Sequence, residues 1–305
     1  MDEEYLYYPG CSLKNNSLNF EQSALAVARA LGFELKEMDK WNCCGTVYSL
    51  APDDLFHQIA PIRNLIQVQE KGREKVVTLC AMCYNTLKQA NHLITSDQEK
   101  LKTINSFMDR EQDYEGKVKV LHLLEVIRDE LTFEGLKGKV KKNLGNLKVS
   151  PYYGCVLTRP EEVALDDVEE PRIMHHLLES LGAEVVDDPY KTECCGSYKT
   201  VDNPGTVIDR TYRIISSVRN NGAEAIALAC PLCAFNLDYR QEETLKNFRD
   251  FAPLPVFYFT QLMGLAMEIN EKELGLDKNF IDPRPMLRSK KIIQKEKHLQ
   301  SKKKK

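Results

Sequence analysis

The sequence predicts an α/β protein of two pseudo-symmetric, Rossmann-like domains, each built on a parallel sheet. Three observations predict it. Short β-prone apolar runs alternate with helical patterns along the chain. The order of these patterns occurs twice. The ten cysteines repeat with it, five to each half.

In the first half, Tyr5–Tyr8 is a short β-prone run that leads into Gly10-Cys11. Leu18–Leu31 has helical spacing and ends at Gly32, a residue suited to the left-handed position after a helix. Phe33–Met38 reads as a strand before a Cys-Cys-Gly loop. Asp53 caps a helix running to about Glu70, stopped by Gly72. Val76–Leu79 is a β-branched strand entering a Cys-x-x-Cys, which opens a helix from Tyr84 to about Leu93. Val118–Leu121 is a fourth strand.

The second half follows the same order. Leu147–Tyr153 is a strand, Arg172–Leu181 a helix and Glu184–Val186 a strand. Then come helix Val207–Asn220, strand Ala225–Ala229, helix Phe235–Leu245 and strand Val256–Phe259. The run Pro253–Met267 reads as a buried strand and helix rather than a membrane surface. Such continuous apolar strands fit parallel sheets covered by helices. Function in these sheets gathers beyond the strand C-termini, where every cysteine group falls. The expected units are residues 1–140, 147–275 and a basic extension, 276–305, expected to be non-globular and partly disordered. A polar Gly/Lys stretch, Glu134–Asn146, separates the first two.

Composition narrows the function. The 305 residues are 43% hydrophobic and 29% charged, which excludes wholesale disorder. The net charge of −3 divides into about +9 from Arg284 to Lys305 and about −12 in the rest. A body that acidic argues against nucleic-acid binding, since phosphates require a basic surface. The terminal Lys302–Lys305 reads as a solvated tail. No long apolar run predicts a membrane span, and MDEEYLYYPGC has neither a basic nor an apolar leader region, so a cytoplasmic location is expected.

In that setting cysteines point to metal or redox chemistry before disulfides. The first set is Cys11, Cys43, Cys44, Cys80 and Cys83; the second is Cys155, Cys194, Cys195, Cys230 and Cys233. Each is a single Cys, a Cys-Cys-Gly and a Cys-x-x-Cys. The flanks repeat too: Tyr7-Tyr8-Pro9-Gly10-Cys11 answers Tyr152-Tyr153-Gly154-Cys155. Structural zinc takes four ligands, and a cubane [4Fe–4S] cluster takes four cysteines. Five thiols exceed both. Either one cysteine is a free nucleophile or the cluster is not an ordinary cubane. Gly45 and Gly196, which follow the pairs, allow backbone amides close to a cluster.

This doubled pattern, with YYPGCSL and YYGCVLTRP at its two starts and ECCGS, ACPLCAFNLD and PVFYFTQLMGLA later, resembles the B subunit of heterodisulfide reductase over residues 4–267. Iron–sulfur subunits of glycolate and lactate oxidases are looser relatives, and they carry ferredoxin cysteines that this chain lacks. The resemblance implies a noncubane [4Fe–4S] cluster on each set of five cysteines, at loops near the domain interface. A disulfide would be split, or formed, between them in one-electron steps, each sulfur captured by iron. It also implies partners: a C-like subunit with two cubane [4Fe–4S] clusters and a flavin-containing A-like subunit. No G-x-G-x-x-G, P-loop or ferredoxin motif appears in the chain itself. Two rival readings are a zinc-containing scaffold, with two zincs or with one cluster plus one zinc, and an electron-relay subunit that never touches a disulfide.

Other residues invite roles. Lys14 and Arg159 follow the first cysteine of their halves and are candidates for pairing with an anionic substrate, against a plain surface role. His122, His175 and His176 are candidate proton donors, against ordinary packing. Trp41 and Tyr198 are expected to shield the clusters from water.

Overall fold

The structure, a computed structural model, describes residues 3–46 and 55–294. It contains two four-stranded sheets, all parallel, one in each half. The first comprises β1 (Glu3–Tyr8), β2 (Phe33–Glu37), β3 (Lys75–Thr78) and β4 (Lys119–His122), in the order β2-β1-β3-β4. The second comprises β5 (Lys148–Tyr152), β6 (Glu184–Val185), β7 (Ala225–Leu228) and β8 (Val256–Tyr258), in the order β6-β5-β7-β8. The pseudo-symmetric α/β architecture expected from the repeat is present.

The strands form where apolar side chains have no wet face to turn to. Every residue of β7 is buried, as are Val76, Val77 and Thr78 of β3. The helix Leu18–Leu31 buries Phe20, Ala24, Val27, Ala28 and Leu31, one stripe at helical spacing. It stops at Gly32, whose φ of 92° lets its N–H reach the Ala28 carbonyl at 3.0 Å.

Both sheets reverse their winding between the two central strands, β1 and β3 or β5 and β7. The crevice of such a sheet opens beyond the strand C-termini at that reversal. Cys11 and Cys80 follow the strands on either side of it in the first half, and Cys155 and Cys230 do so in the second.

The halves are interlocked. The helix Phe259–Ala266, which follows β8, packs on Leu18–Leu31 of the other half. Phe20 stacks on Tyr258 with ring centroids 4.1 Å apart, and Ser23 Oγ lies 2.7 Å from Thr260 Oγ1. Asn85 Nδ2 donates to the carbonyls of Val156 and Arg159 at 2.9 and 2.8 Å. These contacts align the two crevices.

Two expectations give way. The single helix Phe235–Leu245 is instead a short α-turn, Pro231–Ala234, a π-type turn, Phe235–Tyr239, and a helix, Gln241–Asn247. The wider turn buries Asn236, Leu237 and Asp238 in succession, which an ordinary surface helix does not do. The non-globular extension is also corrected for residues 276–294. Leu276 and Leu287 are fully buried, and Asn279 donates to the Val256 carbonyl at 2.7 Å. The amides of Phe280 and Ile281 bond Asp238 at 2.8 and 2.9 Å. Isolated apolar residues among many charges carried this anchoring, which a charge-based reading passes over. The cap assigned to Asp53 and the run 302–305 lie outside the described residues; the helix it was to start runs Ile59–Glu70 after a 3₁₀ turn, Phe56–Gln58.

Candidate metal centre

Each cysteine set is assembled from three loops, after the first, second and third strands of its half. In the first set Cys11 Sγ lies 4.0 Å from Cys43 Sγ, and Cys44 Sγ lies 3.6 Å from Cys83 Sγ. In the second, Cys195 Sγ lies 3.5 Å from Cys233 Sγ, and Cys155 acts on the Cys194 thiol. The thiols of each Cys-x-x-Cys act electrostatically on one another, and Cys80 and Cys230 do so across the interface, where Ala81 N–H donates to the Ala229 carbonyl at 3.3 Å. The two sets therefore meet at their inner ends.

Their outer ends face outward. Cys11 and Cys43 are exposed and Cys155 and Cys194 half-buried, whereas the other six are buried. No disulfide joins any of them. Among the described residues no group of three or more Cys, His, Asp or Glu side chains is placed to hold a single metal ion. The sulfurs run as linked neighbours.

Charge settles unevenly along these runs. Hydrogen bonds from Cys43 and then Cys83 hold the Cys44 thiol well below its usual range, and Cys43 is pushed up in return. Cys194 is held down to about 6, first by Cys155, then by the amides of Gly196 and Ser197 and the charge of Arg210. Each half thus keeps a thiolate ready for metal at its Cys-Cys pair, the protonation state that metal ligation requires. Five soft donors per set, linked sulfur to sulfur with backbone amides beside them, fit a thiolate-bound iron–sulfur cluster.

Two kinds of residue, tyrosine and glycine, hold the loops in place. Tyr8 OH donates to the Asn42 carbonyl at 2.8 Å, and Tyr152 OH donates to the Glu193 carbonyl at 2.6 Å. Each acceptor immediately precedes a Cys-Cys pair. Counted back from the glycine, Tyr8 and Tyr152 are equivalents. Gly10 and Gly154 take φ of 70° and 67°, conformations that turn the chain sharply into Cys11 and Cys155. Gly45 and Gly196 have φ of 94° and 85°, and Gly196 N–H points at Cys194 Sγ over 3.3 Å.

His122 is not free to shuttle protons. Its Nδ1 accepts the Leu124 amide at 3.2 Å, capping the helix Leu123–Val126, and Nε2 donates to the Leu79 carbonyl at 2.8 Å. The equivalent contact elsewhere is backbone: Ala81 N–H donates across the interface to Ala229 O at 3.3 Å. Residue 231 is proline and has no N–H to return to Leu79, so the imidazole takes that place. His175 lies between Tyr153 OH at 2.9 Å and Asp187 Oδ1 at 3.0 Å, and His176 stands beside the Phe133 ring.

Lys14 is paired with Glu21 at 2.7 Å and Glu37 at 2.5 Å. Arg159 is paired with Glu169 at 2.8 Å and reaches the Thr192 carbonyl at 3.4 Å. Trp41 packs edge-on against Tyr8 with ring centroids 5.9 Å apart, and Tyr198 is exposed. A cavity of about 70 Å³ lies between the halves, lined by Ser12 of the first and by Leu232, Asp238 and Tyr258 of the second among others, with no cysteine in its wall.

The family described as Cysteine-rich domain (CCG) matches residues 5–88 and 149–238. The chain is 34% identical over 284 residues to the 8-methylmenaquinol:fumarate reductase membrane anchor subunit of Wolinella succinogenes, covering 92% of this chain and 98% of that one. It is 29% identical over 279 residues to the B subunit of the ferredoxin/F420H2-dependent CoB-CoM heterodisulfide reductase of Methanosarcina acetivorans, covering 90% and 92%. Among solved structures, a hypothetical protein from Helicobacter pylori has a TM-score of 0.73 at 13% identity, covering 92% of this chain and 53% of that one, a likeness of fold. Among the described residues no helix is long and apolar enough to cross a membrane.

Proposed function

This chain belongs to the cysteine-rich (CCG) domain family, and from that premise we propose that it is the disulfide-converting subunit of a heterodisulfide-reductase-like complex, with one noncubane [4Fe–4S] cluster per half. Cys11, Cys43, Cys44, Cys80 and Cys83 hold one; Cys155, Cys194, Cys195, Cys230 and Cys233 hold the other. Such clusters supply single electrons and iron sites that bind sulfur. The observation that carries the reading is the junction of the two sets beside Cys80 and Cys230, where Ala81 N–H meets the Ala229 carbonyl at 3.3 Å, with Cys11 and Cys43 exposed and Cys155 and Cys194 half-buried at the outer ends. Two electrons are needed to cleave one disulfide, and two joined sites supply one each.

The chain's own residues prepare this. Tyr8 and Tyr152 fix the paired-cysteine loops, and Gly10 and Gly154 bring the backbone under the last cysteine of each set. His122 holds the Leu79 carbonyl just before Cys80. Asp238, whose carboxyl burial pushes up to about 7, stands at the cavity wall with both oxygens accepting the amides of Phe280 and Ile281. Electrons come from a C-like subunit with two cubane clusters, itself served by a flavin-containing A-like subunit.

A second reading is favoured by the 34% identity to the Wolinella subunit: the same two centres relay electrons from a membrane quinol to a partner without touching a disulfide.

The test is anaerobic iron and sulfide analysis with a dye-linked disulfide-reductase assay. About eight irons per chain and dye-dependent disulfide cleavage are expected. Iron that never exceeds about four per chain would remove the two-cluster reading. Full iron with quinol-linked turnover and no disulfide cleavage would establish the relay.

A further inference from the structure

The halves repeat the sulfur geometry and differ in what faces it. Three residues beyond each set's last cysteine, one helical turn on, a side chain meets the second cysteine of the pair. In the first half it is Thr86, a buried hydroxyl residue that acts only weakly on Cys44. In the second it is Asn236, fully buried, whose Nδ2 lies 3.5 Å from Cys195 Sγ and 3.2 Å from Cys195 O. Its Oδ1 accepts Thr200 Oγ1 at 2.8 Å, which fixes the N–H side of the amide toward the sulfur.

The braces of the paired-cysteine loops differ in the same sense. In the first half, neutral Asn64 accepts the Asn42 amide at 2.9 Å and donates to the Asn42 carbonyl at 3.0 Å. In the second, the Arg210 guanidinium donates through Nε to the Cys194 carbonyl at 3.0 Å. Glu193 offsets part of that charge from the far side, at Nη2.

Hydrogen bonds to cluster sulfurs and a nearby cation stabilise an added electron, so both raise a reduction potential. Solvent at Cys11 and Cys43 acts in the same direction on the first half, but water must reorient, whereas a buried amide is already aimed.

We propose that Asn236 and Arg210 hold the C-terminal centre at a more positive potential than the N-terminal one, so that an electron from a low-potential iron–sulfur donor comes to rest in the C-terminal half. This rests on the two-cluster reading above.

The experiment is an anaerobic redox titration of the iron-loaded chain, followed by EPR and visible absorbance, with iron measured in each sample. Two reduction steps are expected. Asn236→Thr and Arg210→Gln should each lower the more positive step and leave the other in place. Thr86→Asn should raise the more negative step and narrow the gap. A purely structural lesion loses iron without moving the remaining step. Iron-replete variants whose steps do not move, or a more positive step that responds to Thr86→Asn alone, would overturn the inference while leaving the clusters intact. A chain that takes up no iron would overturn the two-cluster reading itself.

Discussion

Gly10 and Cys83 stand so close that a Cβ on Gly10 would lie 2.8 Å from the Cys83 sulfur. The equivalent pair, Gly154 and Cys233, leaves 3.2 Å. Both glycines have positive φ, so an alanine costs about 1–2 kcal/mol at either position. Only the sulfur contact distinguishes them. Gly10→Ala is therefore expected to lose iron from its half, and Gly154→Ala to retain most of its own. Iron-to-protein ratios after anaerobic reconstitution check this; equal loading would contradict it.

The two loop-holding tyrosines differ in what remains when the hydroxyl is removed. The Asn42 carbonyl keeps a second donor, Asn64 Nδ2, at 3.0 Å. The Glu193 carbonyl is served by Tyr152. Tyr8→Phe should thus cost about 0.5–1.5 kcal/mol and Tyr152→Phe about 1–3 kcal/mol. Denaturant titration of the reduced, metal-free chain measures both, and a reversed order would refute the assignment.

His122 gives a stability signature at low pH. Burial pulls its imidazole from 6.5 down to about 4, so the folded chain binds fewer protons than the unfolded chain between those values. Its contribution is present above about 6.5 and is lost as the pH falls through about 4, up to about 3 kcal/mol. His122→Asn keeps an acceptor for the Leu124 amide but does not titrate. The gap between wild type and variant should shrink as the pH falls from 7 toward 4. A gap constant over that range would rule the assignment out.

Asp238 acts with the opposite sign. Burial raises its carboxyl from 3.8 to about 7, against the pull of two amide donors. The folded chain prefers the protonated acid, a preference fully present below about 4 and lost as the pH rises through about 7. Asp238→Asn does not titrate, so relative to wild type it should gain up to about 4 kcal/mol between pH 4 and pH 8. Unfolding free energies at those two values are the measurement.

The doubled fold was legible in the chain because each signal is local. Leu18–Leu31 carries its stripe and its terminal Gly32, and Val76–Leu79 and Ala225–Ala229 carry their own apolar runs. The Cys-Cys-Gly and Cys-x-x-Cys spacing identified the family, because spacing along the chain survives without coordinates. Residues whose partners are distant were not legible. Tyr8 and Tyr152 stand at equivalent places before their cysteines, but only the contacts with the Asn42 and Glu193 carbonyls show what they hold. The π-type turn that buries Asn236 and Asp238 was read as ordinary helix, although a residue one helical turn beyond the last cysteine was a findable signal.

The sequence by itself determined that there are two sets of five thiols, each on loops beyond parallel strands, because strand alternation and cysteine spacing are properties of neighbouring residues. Only the tertiary structure decided that the sets meet at Cys80 and Cys230, that Lys14 is bound by Glu21 and Glu37, and that residues 276–294 close over Asp238. Each of these joins segments far apart in the chain, and such pairings are set by which surfaces must be buried together once both sheets exist.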